Sequence, residues 1–148
     1  MDIEEKRRKA EAGSCVAQTT LGISYLYGYD VEMDYQQAFR FLSAAANQGA
    51  SRAVLHLGIM YAKGLGIPQN APEAVRLFEA VAKPSDSSDA FAARIELGRL
   101  YSLGQAIPAD AHVALRWYKA ALELSTDSED SEDLQEARNY VQQTNGAR

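Results

Sequence analysis

Apolar and polar positions alternate along this chain with a helical period. Ala17, Leu21 and Tyr25 fall at i, i+4 and i+8, one stripe of an α-helix, and the stripe returns at Ala53, Leu57, Tyr61 and at Ala93, Leu97, Tyr101. Each stripe sits in a longer frame, Leu-Gly-x-x-Tyr-x-x-Gly, at Leu21 to Gly28, Leu57 to Gly64 and Leu97 to Gly104. The copies are 36 residues apart from Leu21 to Leu57 and 40 from Leu57 to Leu97. A period in this range marks stacked helical repeats.

Start and stop signals divide each copy into two helices. Gly28, Gly64 and Gly104 come where a left-handed residue closes a last turn. An apolar loop residue follows (Val31, Ile67, Ile107), and then Asp34, Asn70 and Asp110, side chains suited to capping the next helix by accepting backbone N–H bonds. The second helices carry their own stripes: Ala38, Phe41, Leu42, Ala45; Ala74, Leu77, Phe78, Val81; and Ala114, Trp117, Tyr118, Ala121. Small alanines beside bulky residues are what interdigitating helix faces require, which makes Trp117 a core residue rather than a ligand stack. Gly22, Gly58 and Gly98 recur inside the first helices, where glycine costs about 1 kcal/mol relative to alanine. Their placement predicts a neighbouring helix in close approach.

Both ends read as caps. Residues 1–12 predict a helix whose Glu4 and Glu5 precede Arg8 and Lys9 at ion-pairing distance, so that Lys6-Arg7-Arg8-Lys9 reads as a solvated face. Full repeats are expected over 13–49, 50–86 and 87–124. The insertion from Lys83 to Asp89 lengthens the second period, and an acidic linker from Ser125 to Asp133 precedes a closing helix with Leu134, Ala137 and Val141 on one face. A polar-backed helix of this kind ends a stack without exposing its core.

Composition narrows the function. The chain has 148 residues and 47% hydrophobic residues, enough for a real core. A formal net charge of −5 argues against broad affinity for nucleic acid or anionic lipid. Neither a leader-like apolar run after Met1 nor a stretch of roughly 20 apolar residues is seen, so a cytoplasmic protein without membrane attachment is expected, or a periplasmic one had an export signal been removed. Cys15 is the sole cysteine and reads as a small buried side chain; His56 and His112 are the sole histidines. No metal or cofactor is expected from so few donors. The acidic linker lacks the glycine and ligand spacing of a calcium loop. Gly64-Leu65-Gly66 lacks a third glycine and any phosphate-binding lysine motif, so catalysis is not expected.

The frame Ala-x-x-x-Leu-Gly-x-x-Tyr-x-x-Gly, with an apolar loop residue, Asp or Asn, and a second alanine-rich helix, resembles the Sel1-like repeat, a relative of the tetratricopeptide repeat. The resemblance covers about Gly13 to Leu124 in three copies. Asp30 and Ala106 depart from it where the second loop keeps Gly66, and Lys83-Pro84 replaces the usual glycine ending. What the resemblance implies is an all-α, right-handed superhelix of three helix pairs between terminal capping helices, and an adaptor or scaffold that binds a protein or peptide on the concave face of its first helices. Bacterial members are linked to secretion, signalling, host interaction and immunity to toxins. In the related tetratricopeptide arrangement the positions two before and two after the stripe leucine line the groove. Here they are Thr19, Ile23, Leu55, Ile59, Ile95 and Arg99, joined by Arg52 one turn away. The alternative is an inhibitor or immunity protein that blocks a toxin or effector with its acidic loops. Either a monomer or a weak homodimer is expected.

Overall fold

The structure, a computed structural model, describes residues 2–83, 87–125 and 131–147. Regular structure among these residues is helical throughout: α1 (Ile3–Glu11), α2 (Cys15–Tyr27), α3 (Tyr35–Asn47), α4 (Ser51–Lys63), α5 (Ala71–Val81), α6 (Ser88–Leu103), α7 (Ala111–Leu122) and α8 (Glu132–Gly146). The expected all-α class, helix pairs in series between two terminal helices, holds. Two compact units divide the chain, Met1–Leu77 with α1 to α4 and most of α5, and Phe78–Arg148 with the end of α5 and α6 to α8. Residues 84–86 of the insertion and 126–130 of the acidic linker lie outside the described residues.

The helices begin and end where their side chains demand. Asp34 accepts from the backbone N–H groups of Gln36 and Gln37 at 2.9 and 3.0 Å, Asp110 from those of His112 and Val113 at 3.1 and 3.0 Å, and Asn70 from that of Glu73 at 3.1 Å. Three serines cap α2, α6 and α8: Ser14 takes the N–H of Ala17, Ser87 that of Ala90 and Ser131 that of Leu134, while Asp2 and Ala50 before α1 and α4 make no side-chain cap. Gly28, Gly64 and Gly104 close α2, α4 and α6 in the left-handed region, with φ of 74°, 67° and 62°. Each first helix thus stops where glycine escapes the Cβ clash of that conformation.

Side-chain stripes then fill the units. In the first, Leu21, Tyr25, Ala38, Phe41, Leu42, Ala53, Leu57 and Met60 are buried together, and the Tyr25 and Phe41 rings stack at 6.1 Å. A Cβ added to Gly22 would lie 2.7 Å from Leu42 Cγ. In the second unit a Cβ on Gly98 would lie 2.9 Å from the Tyr118 ring, so Gly22 and Gly98 each admit a neighbouring helix as expected. Ile95, Tyr118, Ala121 and Ala137 form a core there, joining α6, α7 and α8. Cys15 is half-buried with its Sγ 3.8 Å from the carbonyl of Ala45, and the indole nitrogen of the half-buried Trp117 is sealed from solvent with no hydrogen-bond partner among the described residues.

Sequence reasoning missed the side chains that hold helix ends. Gln18 donates to the carbonyl of Ala10 at 3.1 Å, and Gln48 donates to Gly13 and to the Gln18 side chain. At the equivalent place in the third repeat the buried Arg94 donates to the carbonyls of Ala82 at 3.2 Å and Ala120 at 2.5 Å. Gly13 and Gly49 follow α1 and α3 with φ of 94° and 87°, whereas α5 and α7 run into no such glycine. Arg94 satisfies carbonyls that a glycine-closed turn would otherwise serve.

Candidate protein-docking face

On a helix each residue turns by roughly 100°, so the burial of a few positions fixes which side of α2 is open. Leu21 and Tyr25 face α3, and Leu26 joins the core that includes Ala53, Leu57 and Met60 of α4. The open side carries Val16, which is 76% exposed, with Thr20, Ile23 and Tyr27, the last 41% exposed. One repeat on, the same positions of α4 are Arg52, His56, Ile59 and Lys63, half-buried to exposed.

Aromatic rings connect the two helices across this face. The hydroxyl of Tyr27 lies 3.2 Å from Nδ1 of His56, and the rings meet edge to face at 5.6 Å. Tyr29, 59% exposed in the loop after α2, sets its ring 5.6 Å from that of Tyr27. A tyrosine cluster of this kind offers rigid apolar area with polar rims, the chemistry enriched at protein interfaces.

The seven residues expected to line a groove divide. Ile23 and Ile59 are half-exposed on the open side, and Arg52 is exposed beside them. Thr19 is half-buried, with its hydroxyl donating back to the carbonyl of Cys15 at 2.9 Å. Leu55 is only 5% exposed and Ile95 only 1%, so neither offers a free surface, and their expected place on the groove is corrected. For Ile95 the reason is its packing against Tyr118, Ala121 and Ala137, with α8 covering that side of α6. In the second unit the position two before the stripe leucine thus turns toward α8. The position one before it, Thr20 or His56, faces outward instead.

Arg99 is likewise held inside its own unit. Its guanidinium donates to Glu96 at 2.9 Å, to Asp133 at 2.5 Å and to both oxygens of Glu136, the closest at 2.6 Å. Tyr118 donates its hydroxyl to Glu136 at 2.6 Å. Burial pushes the Glu136 carboxyl up, but the hydrogen bonds from Arg99 and Tyr118 outweigh it and hold the group below the usual carboxylate range. Burial disfavours the Arg99 charge, yet its bonds to Glu136 and Asp133 raise its pKa above the ordinary value. Burial and the neighbouring Glu136 raise the Tyr118 phenol.

Among the described residues no group of three or more His, Cys, Asp or Glu is arranged to hold a metal ion, and no helix is long and apolar enough to cross a membrane. Tyr27, Tyr29 and His56 were not legible as a cluster, because they meet only when α2 and α4 lie side by side.

Comparison with known proteins identifies the repeats. The family model described as Sel1 repeat matches residues 15–49, 51–83 and 92–125. DAP3-binding cell death enhancer 1 of Mus musculus is 38% identical over 76 residues, 51% of this chain and 14% of that protein. Protein sel-1 homolog 2 of Homo sapiens is 37% identical over 79 residues, 53% of this chain and 12% of that protein. The chain therefore spans only a small part of these relatives. Among solved structures, c5321, a protective antigen present in uropathogenic Escherichia coli strains and displaying an SLR fold, has a TM-score of 0.72 and 32% identity over 86% of this chain and 27% of its own. A Sel1 repeat protein from Oxalobacter formigenes has a TM-score of 0.66 and 29% identity over 96% of this chain and 98% of its own.

Proposed function

We propose that this chain, which belongs to the Sel1 repeat family, is a non-enzymatic adaptor that binds a protein or peptide on the open side of its first helices. Proteins built from these repeats generally mediate protein–protein interaction. The observation that carries the reading is the exposed aromatic and aliphatic strip of α2 and α4, with Val16, Ile23, Tyr27 and Tyr29 continuing onto His56 and Ile59. Connected apolar area rimmed by polar groups marks an interaction site. The mouse relative is named for binding another protein, DAP3, which is the same class of activity.

Residue roles follow from position. Tyr27 and Ile59 would supply buried contact area, while Thr19, Ile23 and Arg52 would flank them. Leu55, Ile95 and Arg99 would act only by holding the helices in place. The test is capture of partners from a lysate of the source organism by the immobilised chain, compared with Tyr27→Ala, Ile59→Asp and a control on α3, Gln36→Lys. Each protein is first checked for wild-type helicity by circular dichroism. The expected result is a captured protein retained by the control and lost at least tenfold by both face variants. Equal capture by all four folded proteins would reject this face.

A further inference from the structure

Charge is spread unevenly through the first unit. From Ala12 to Tyr29 there is no charged residue, and from Tyr35 to Pro72 there is no Asp or Glu, although the chain as a whole carries a formal net charge of −5. The first stretch holds all of α2 and the second all of α4, so these two helices bring no carboxylate to their open side. Glu11 and Glu73, which bound the two stretches, are paired with Arg40 and Arg76 at 2.6 and 2.5 Å. Between the stretches Asp30 and Glu32 lie exposed in the loop after α2, and Asp34 is engaged in capping α3.

What charge the two helices do bring is positive. Arg52, His56, Ile59 and Lys63 fall at i, i+4, i+7 and i+11, the spacing of one helical stripe, on the open side of α4. Lys63 is exposed in the last turn and makes no ion pair with any described residue. The hydroxyl of Tyr27, 3.2 Å from His56, joins this basic stripe to the uncharged one of α2 with Val16, Thr20 and Ile23. An occupant that crosses from α2 to α4 therefore meets apolar surface first and cations next. A phosphate backbone has no apolar groups to set on Val16, Ile23 and Tyr27, and the net negative charge of the chain opposes it. One short polypeptide segment supplies both carboxylates and apolar side chains.

We infer that the docking face proposed for α2 and α4 takes an acidic peptide segment, an inference that rests on that reading and adds to it the charge of the partner. Aliphatic or aromatic side chains of the segment seat against Val16, Ile23, Tyr27 and Ile59, and its carboxylates turn toward the basic stripe of α4. Complementary charge beside an apolar contact speeds encounter and excludes wrong partners, and its share of the affinity falls as salt rises. This preference runs against the charge of the whole chain, which by itself favours basic partners.

Selection from a random peptide library displayed on phage, with the full chain immobilised, tests the inference. Enriched peptides should combine an excess of Asp and Glu with aliphatic or aromatic residues. Synthesised with a fluorescent label, they should bind at least tenfold more weakly to Tyr27→Ala and about fivefold more weakly to Lys63→Glu. Lys119→Glu on α7 changes the net charge equally and should bind like the wild type, each variant having first shown wild-type helicity. Enriched peptides that are neutral or basic and are still lost in Tyr27→Ala would overturn the acidic partner and leave the docking face standing. Acidic peptides indifferent to both Tyr27→Ala and Lys63→Glu would bind elsewhere and overturn the inference together with the face. Equal losses in Lys63→Glu and Lys119→Glu would report net charge alone and overturn it too. A selection that enriches no peptide also overturns it, and lysate capture then judges the face by itself.

Discussion

Asp30 and Gly66 stand at the same place in successive loops but answer to different constraints. Asp30 has φ of 60° and is the non-glycine residue with positive φ among those described. Gly66 has φ of 69°, and a Cβ there would lie 2.3 Å from that of Tyr35. The first loop needs only a left-handed residue, which aspartate adopts at some strain. The second needs the space as well. Asp30→Gly should therefore raise stability by roughly 0.5 kcal/mol, relief of strain being partly offset by added freedom in the unfolded chain. Gly66→Ala should lower it by about 1–3 kcal/mol, since strain and overlap both act. Thermal or urea melts of the two variants read the signs directly, and a destabilised Asp30→Gly would refute the strain account. Ala106 takes the third solution, since at the same place in its loop it keeps its own φ out of the left-handed region.

At the scale of helices, buried side chains do what the missing glycines do not. Arg94→Ala leaves the carbonyls of Ala82 and Ala120 without their donor, at about 1–3 kcal/mol for each buried unsatisfied group. Arg94→Gln should lose distinctly less, because Gln18 already serves the equivalent carbonyl of Ala10 in the first repeat. Urea denaturation of both variants checks the order, and equal losses would show that the second carbonyl decides. The clasp of α8 gives a prediction in pH. The Glu136 carboxyl is held below its ordinary value of 4.5, so its stabilisation is fully present above about that pH and lost as pH falls through the lower native value. Acid titration of the α8 amide signals should show docking that persists in the wild type to lower pH than in Arg99→Met. Identical titrations would remove Arg99 from the account. These features explain what was legible in the sequence. Stripes, glycine stops and the Asp34, Asn70 and Asp110 caps repeat at a fixed period, and repetition separates signal from accident. Arg94, Arg99 and the Tyr27, Tyr29, His56 cluster each occur once and act across helices, so no period reveals them.

For the whole molecule, the question is whether binding and folding can be separated on one helix. Repeat proteins are held by contacts between neighbouring elements, so a charge placed in the core disrupts its own repeat and those beside it. Total stabilities of about 5–15 kcal/mol leave little margin for a buried unpaired carboxylate. On α4 the residues Leu55, Leu57 and Ile59 follow at intervals of two, and only Ile59 keeps part of its surface open, while Leu55 and Leu57 are 5% and 6% exposed. Leu55→Asp and Leu57→Asp should each cost several kcal/mol and shift the urea midpoint far down. Ile59→Asp should change it by less than about 1 kcal/mol if its carboxylate reaches water. Sequence alone grouped Leu55 with Ile59 because both flank the stripe leucine, and only their burial in the folded chain tells them apart. Urea melts of the three variants decide the matter before any partner is known. A stable Leu55→Asp would return that residue to the surface, and an unfolded Ile59→Asp would mean that the open face of α4 is itself part of the core.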